Sequence, residues 1–444
     1  MSHDFHFEET AIKLSRAHRE VEHHLPGEPT SRQPVHTVYG GAHLFKSDTA
    51  KKVGDLAIRQ LQEFAPDAKT FTRALGLEWS EEFSKMIYAR VLEKLGREPI
   101  EDYRIDFEDG YGYRKDEEED GHAVQAAHEV SKGLAASSLP PFIGIRVKAF
   151  TDELFPRASR TLGLFLSTLS KATGGKLPSG FVVTLPKVTH SQEVSALVDV
   201  LEHYETLYHF EHPIAIELMV ETPQALFDVD GVLNLPKFVD AARKRCRGAH
   251  FGTYDYTALC NITADYQRVT HPACDFAKNI MQVSLNGTGL MLSDGATTFM
   301  PIPPKKAKPG EVLSEADARF NRETVSKAWK MHYENVRYAL ERGYYQGWDL
   351  HPGQLAIRYA ALYSFFLEGL AGSTSRLKNF VDKAAQATLA GNHFDDAATG
   401  QGLLNFFLRG TSCGALTALE LKECGLSIDE IKTRSFLSIV EGRR

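Results

Sequence analysis

Apolar positions along this chain follow two periods. Short runs with apolar residues at every second place are followed by longer stretches where they recur every three or four. The short runs predict strands at 36–45 (HTVYGGAHLF), 103–112 (YRIDFEDGYG), 141–150 (PFIGIRVKAF), 180–188 (GFVVTLPKV), 214–222 (IAIELMVET), 248–256 (GAHFGTYDY), 296–304 (ATTFMPIPP) and 347–352 (GWDLHP). The longer stretches predict helices over about 49–95, broken near Pro66, and over 117–137, where an acidic first turn suits the positive end of the dipole. Further helices are expected at 156–173, at 191–207 with Ser191 as N-cap, at about 314–342 and at roughly 353–370.

Strand–helix alternation at this spacing argues for an α/β fold with a parallel sheet. Eight repeats fit a (β/α)8 TIM barrel, which occupies about 250 residues and more with insertions. The insertions are expected in the first unit and between Asp255 and Ala296. A doubly wound open sheet is the competitor. Charged residues gather at the C-terminal ends of many separate strands here, and a barrel collects such ends on one face where an open sheet spreads them out. The expected organisation is an N-terminal arm over 1–30, the barrel over 31–372 and a helical C-terminal extension over 373–444. Within the extension SRLKNFVDKAAQATLAG and ALTALELKECG read as helices, joined by GNHFDDAATGQG.

Composition narrows the class. A chain of 444 residues can bury a large core without crosslinks. Its 51 basic and 58 acidic residues give a formal charge of −7, with no basic stripe for a nucleic acid to follow. Five cysteines, odd in number and without CxxC spacing, indicate neither a disulfide framework nor a zinc site. The start, MSHDFHFEETAIKLSRAHRE, is charged and lacks the apolar core of a secretory signal. The most apolar stretch, AIRYAALYSFFLEGLAG, carries Arg358 and Glu368 and is too short to span a bilayer. The expectation is a soluble, cytoplasmic protein with no nucleic-acid or membrane partner.

Strand alternation then sorts the polar residues. In YRIDFED, Asp106 and Glu108 face the barrel interior, and Asp109 lies at the tip. In IAIELMVET, Glu217, Met219 and Glu221 face inward, Glu217 deep and Glu221 near the mouth. A buried Glu217 needs a partner, for which Lys187 or Arg146 is available. Glu221 and Asp255, at consecutive strand ends, can share one hard divalent cation, because Mg²⁺ prefers oxygen and often takes only one or two ligands from the protein. The plainer readings are a helix N-terminal acid for Glu221, beside Pro223, and a cap for Asp255. Arg146 can grip a substrate carboxylate through two parallel hydrogen bonds, or form a structural pair with Asp106 or Glu108. Lys187 reads as a salt-bridge residue or a Schiff-base lysine, and surrounding acids would keep its pKa high, against the nucleophile. His351, with Asp349, offers proton transfer or a helix cap. His43 and His250 are weaker candidates. GTYDY and NGTGL do not match a phosphate-binding fingerprint, so no nucleotide site is expected.

DFEDGYG, IRVKAF, TLPKV, VETPQAL, GTYDYTA and GWDLHPGQ occur in this order. The ordered set, over about residues 36–370, resembles the citrate lyase β-subunit-like and HpcH/HpaI aldolase superfamily, with malyl-CoA lyase and, more distantly, malate synthase. The resemblance implies a Mg²⁺- or Mn²⁺-dependent barrel that makes or breaks a carbon–carbon bond next to an oxo acid. It implies Glu221 and Asp255 as metal ligands, Arg146 on the substrate carboxylate, and Glu108 and Asp109 beside the metal's waters. It also implies a homo-oligomer, trimeric or hexameric. The DLED-type motif of the family reads DFEDGYG here, and the C-terminal helices do not match the lid of CoA-using members. The acyl carrier is therefore open among CoA, a carrier protein and none. Two other functions remain beside the lyase: a phosphoenolpyruvate-using phosphoryl-transfer barrel, and a non-catalytic barrel that binds an oxo acid.

Overall fold

The computed structural model describes residues 7–27, 29, 31–308, 310–382, 388–390, 393–395, 397–423, 425, 427–433 and 439. Eight parallel strands close into a barrel in sequence order: β1 His36–Gly41, β2 Asp102–Asp106, β3 Phe142–Arg146, β4 Val182–Leu185, β5 Ala215–Val220, β6 Cys246–Phe251, β7 Met291–Ala296 and β8 Gln346–Asp349. The ring closes where β1 pairs with β8 through Val38 and Asp349. Outward-facing apolar residues such as Ile105, Ile145, Val183, Ile216 and Leu218 are buried beneath the surrounding helices, the expected arrangement for a barrel whose two strand faces are both covered.

Local chemistry fixes the helix starts. Asp67 caps the helix Ala68–Ala74 by accepting from the Thr70 N–H, and Ser80 caps Glu81–Arg97 through Phe83. The first unit therefore holds three helices, Thr49–Phe64, Ala68–Ala74 and Glu81–Arg97, where two were expected. The helix Asp116–Ala135 opens with four acids, Asp116 to Glu119, favourable at its positive end. His190, rather than Ser191, is the N-cap of Ser191–Tyr208, its ring accepting from the Gln192 N–H.

The seventh strand differs from expectation. It is Met291–Ala296, not 296–304. TTFMPIPP looks strand-like, but its prolines cannot donate to a ladder. MLSDGA looks polar, yet Ser293 and Asp294 are buried, Asp294 against the ammonium of Lys278 at 3.2 Å. With β7 moved forward, the stretch after Asp255 is largely an ordinary unit whose helix is Pro272–Leu285. The sixth strand also ends early, at Phe251, and Asp255 sits in the first turn of the helix Thr253–Leu259.

The helix after β8 runs unbroken from Pro352 to Asp382. Thr388–Ala390, read from sequence as helix, pairs with His393–Asp395 in a short antiparallel hairpin; residues 383–387 and 391 of that reading lie outside the described residues. The helix Ala397–Ser412 buries Leu403, Leu404, Phe407 and Leu408. It lies at the end of the barrel where the strands begin: the Gln33 N–H, just before β1, donates to the Ser412 carbonyl, and Arg90 pairs with Glu420. Among the described residues no helix is long and apolar enough to cross a membrane.

Candidate active site

The strands deliver two layers of charge into the barrel. The lower layer is closed on itself. Arg104 of β2, wholly buried, bonds Asp102, Glu217 and the Thr184 hydroxyl. Glu217 also lies 3.6 Å from Nε2 of His250, whose Nδ1 is 3.0 Å from the Tyr39 hydroxyl. Burial would raise the Glu217 carboxyl, but the Arg104 guanidinium and the nearby His250 hold it at about 2. The expected partners of Glu217, Lys187 and Arg146, are engaged elsewhere. Arg104 shares the inward parity of Asp106, and that parity was the signal sequence reasoning passed over.

The upper layer lines a pocket of about 280 Å³ at the strand C-termini, with Arg146, Glu221, Asp255 and Asp109 on its walls. Arg146 ends β3 and is 3% exposed. Its Nε and Nη2 bond the two oxygens of Asp106 at 2.7 and 2.5 Å, and Nη1 stands 3.2 Å from Glu108. Its guanidinium lies over the Tyr39 ring, 4.8 Å from the centroid, a contact favourable in its own right. Asp106 has no capacity left: besides Arg146 it accepts the N–H groups of Glu108 and Gly110. It thereby sets the DFEDG turn, which projects Glu108 and Asp109 over the pocket. Glycine is required at 110, where a Cβ would meet the Asp106 carboxylate at 2.5 Å.

Lys187 stands at the centre of the acids. Its ammonium bonds Glu108, lies 3.1 Å from both Asp109 oxygens and is 3.6 Å from Asp255. Burial opposes its charge, yet Glu108 and Glu221 raise its pKa above the ordinary lysine range. Burial pushes Glu108 upward; Asp109 is held below its usual value, because the hydrogen bond with Glu108 and the Lys187 charge outweigh burial.

Glu221, one residue past β5, is 1% exposed. Its Oε1 accepts one neutral donor, the Lys187 N–H, at 2.7 Å. Its Oε2 occupies the space a Cβ on Gly252 would take, 2.4 Å away. Burial is the main reason its pKa rises to about 8, with Asp255 adding to the rise. A buried carboxylate so poorly compensated, beside a half-exposed Asp255 at the same mouth, is a donor set that a hard divalent cation fits. Among the described residues no three His, Cys, Asp or Glu side chains converge as a fuller metal cage.

His351 stands apart. It lies past β8, outside the pocket lining, and its Nδ1 accepts the Gly353 N–H at 3.1 Å at the start of the next helix; burial lowers its pKa. Asp349 points outward from the barrel, buried among Arg358, His36 and His332. His43 meets Tyr111 edge-on and lies tilted against His122, and burial lowers its pKa. Sequence reasoning did not single out Tyr39, Trp348 and Thr253, which also line the pocket. Tyr39 and Trp348 pack with ring centroids 4.5 Å apart and planes tilted by 32°.

A closed ring of eight parallel strands with its charged pocket at the strand C-termini defines an α/β barrel of the TIM type. The solved structure of a citrate lyase from Burkholderia xenovorans LB400 is similar over 89% of this chain and 96% of that one, with a TM-score of 0.56 and 18% identity, a likeness of fold. Weaker likenesses are to CitE from Mycobacterium tuberculosis in complex with magnesium, acetoacetate and coenzyme A (TM-score 0.48, 14% identity, 87% of this chain and 100% of that one) and to Haloferax volcanii malate synthase with magnesium and glyoxylate (TM-score 0.44, 15% identity, 93% and 97%). The chain belongs to the family described as domain of unknown function DUF6986, whose model matches residues 14–439. No curated protein matches the sequence.

Proposed function

We propose that this protein is a divalent-metal-dependent carbon–carbon lyase or aldolase, acting on a hydroxy or oxo acid or its acyl thioester. The observation that carries the reading is Glu221: a carboxylate buried at a barrel mouth, with one neutral hydrogen bond and a pKa of about 8, lining the same pocket as Asp255. Glu221 and Asp255 would hold Mg²⁺ or Mn²⁺. When bound, such an ion supplies Lewis-acid stabilisation of the negative charge that develops on the oxygen of an oxo acid.

The other residues divide the remaining work. Arg146, fixed by Asp106, offers Nη1 to a substrate carboxylate at a position set before binding. Glu108, whose pKa is raised, is suited to carry a proton at its carboxyl and is the best-placed group for proton transfer. Lys187 stays charged and does not serve as a Schiff-base nucleophile. His351, bound to the backbone of its own helix start, takes no part. Tyr39, beneath the Arg146 guanidinium, and Trp348 give the pocket an apolar surface that helps exclude water. A CoA thioester, a carrier-bound thioester and a free acid all remain substrates of this chemistry.

Phosphoryl transfer from phosphoenolpyruvate would call for a further phosphate-gripping cluster. Arg157 and Arg160, the nearest basic pair after β3, are both spent on Asp120, which weighs against it. The test is metal dependence. Protein stripped with EDTA should lose turnover of oxo acids assayed with and without acetyl-CoA, and regain it with Mg²⁺. Glu221→Ala and Asp255→Ala should each lose about a hundredfold or more, the several kcal/mol expected of Lewis-acid stabilisation. Full metal-dependent turnover in both variants would end the assignment.

A further inference from the structure

Lys187 is held in an uncommon way. Its φ is 52°, in the left-handed region that a side chain with a Cβ rarely adopts. The turn sends its two donors to different acids. The backbone N–H goes to Glu221, and the ammonium goes to Glu108, Asp109 and Asp255. One residue thus touches both carboxylates assigned to the metal and two of the three acids of DFEDG, Glu108 and Asp109. Arg146, the other cation here, is tied into Asp106 and cannot make this exchange.

We propose that Lys187 is a tethered counter-cation that competes with the divalent ion for Asp255 and sets how readily the site loads. The inference rests on the metal-site reading above and deepens it. An ion bonded to Asp255 at about 2.1 Å would stand within about 6 Å of the ammonium as it now lies, 3.6 Å from Asp255. Two charges against one at that separation repel by far more than a tenfold change in affinity at the effective dielectric of such a site. Loading therefore requires the ammonium to withdraw onto Glu108 and Asp109, which already hold most of it. The backbone bond to Glu221 does not depend on the side chain and stays in place. The strained turn is what lets one residue orient the first ligand and guard the second.

The experiment measures Mn²⁺ binding to the full chain without substrate, by electron paramagnetic resonance of free Mn²⁺ and by the rise in Tm on adding the ion. Lys187→Met should bind Mn²⁺ at least tenfold more tightly than the wild type, with a larger rise in Tm. Lys187→Arg, which keeps the charge, should stay within about threefold of it. Glu108→Gln should weaken binding several-fold, because the ammonium then leans harder on Asp255. This last variant tests the idea even if Lys187→Met fails to fold. Equal or weaker binding by a folded Lys187→Met, or unchanged or tighter binding by Glu108→Gln, overturns the proposal while leaving the metal site standing. If the wild type binds no Mn²⁺, or Glu221→Ala and Asp255→Ala bind as well as the wild type, the metal site itself falls and this inference with it.

Discussion

Glu217 and Glu221 face the same way, Glu217 within β5 and Glu221 one residue past its end, and both are buried, yet their surroundings pull them apart. Glu217 is held ionised, at about 2, by the buried Arg104; Glu221 is pushed up to about 8 with a single neutral donor. Burial does not separate them, since each is nearly inaccessible to solvent. Pairing does. The lower layer satisfies its charges internally, which is how a barrel can carry ions through its centre without exposing them. The upper layer leaves one carboxylate short of partners, and that shortage is what makes it a site.

Deleting each glutamate should give the largest contrast. Glu217→Ala strands the Arg104 guanidinium in the core with Asp102 as its remaining ionic partner and should cost about 3–5 kcal/mol. Glu221→Ala, in protein stripped with EDTA, removes an acid that burial already disfavours and should cost less than about 1 kcal/mol. Urea denaturation of both variants measures the difference. Similar losses would mean that the two layers are equally structural.

The barrel was legible from the chain because its strands alternate strictly and its helices carry caps and acidic first turns. Legibility failed where side-chain chemistry overrode pattern. Ser293 and Asp294 hid β7, because a buried lysine, Lys278, makes an acid acceptable inside a strand. Asp255 was placed on a strand, but GTYDY turns into a helix right after Phe251. Within the site, parity brought Asp106, Arg146 and Glu221 to one face. It did not give the pairings: that Arg146 is bound by Asp106 and that Arg104 takes Glu217 depend on which tips meet across neighbouring strands. The left-handed turn at Lys187 left no mark in TLPKV, since no glycine announces it.

Acid titration sharpens the same contrast with a smaller effect. The folded-state pKa of Glu217, about 2, lies below its ordinary 4.5, so its contribution is fully present above about pH 4.5 and disappears as pH falls through about 2. That loss is on the order of 3 kcal/mol. Glu217→Gln should be the less stable protein at neutral pH, and its deficit against the wild type should shrink steadily from pH 4.5 to pH 2. A deficit that stays constant across that window would show that Glu217 is not the ionised partner of Arg104.

The smallest test concerns a link between the layers. Tyr39 forms part of the pocket floor beneath Arg146, and its hydroxyl reaches His250, which in turn faces Glu217. Because Nε2 of His250 points at a carboxylate, that nitrogen is assigned the proton, and Nδ1 is left to accept from the tyrosine O–H. Tyr39→Phe keeps the ring under the guanidinium and removes the hydroxyl, with its bond to His250 and its longer contact to the Met219 sulfur. It should cost about 1 kcal/mol of stability and leave Mn²⁺ affinity within about twofold, because no charge at the mouth has changed. A tenfold or larger change in affinity would mean that the closed lower layer tunes the open one through His250, and the two could no longer be treated as separate parts of the barrel.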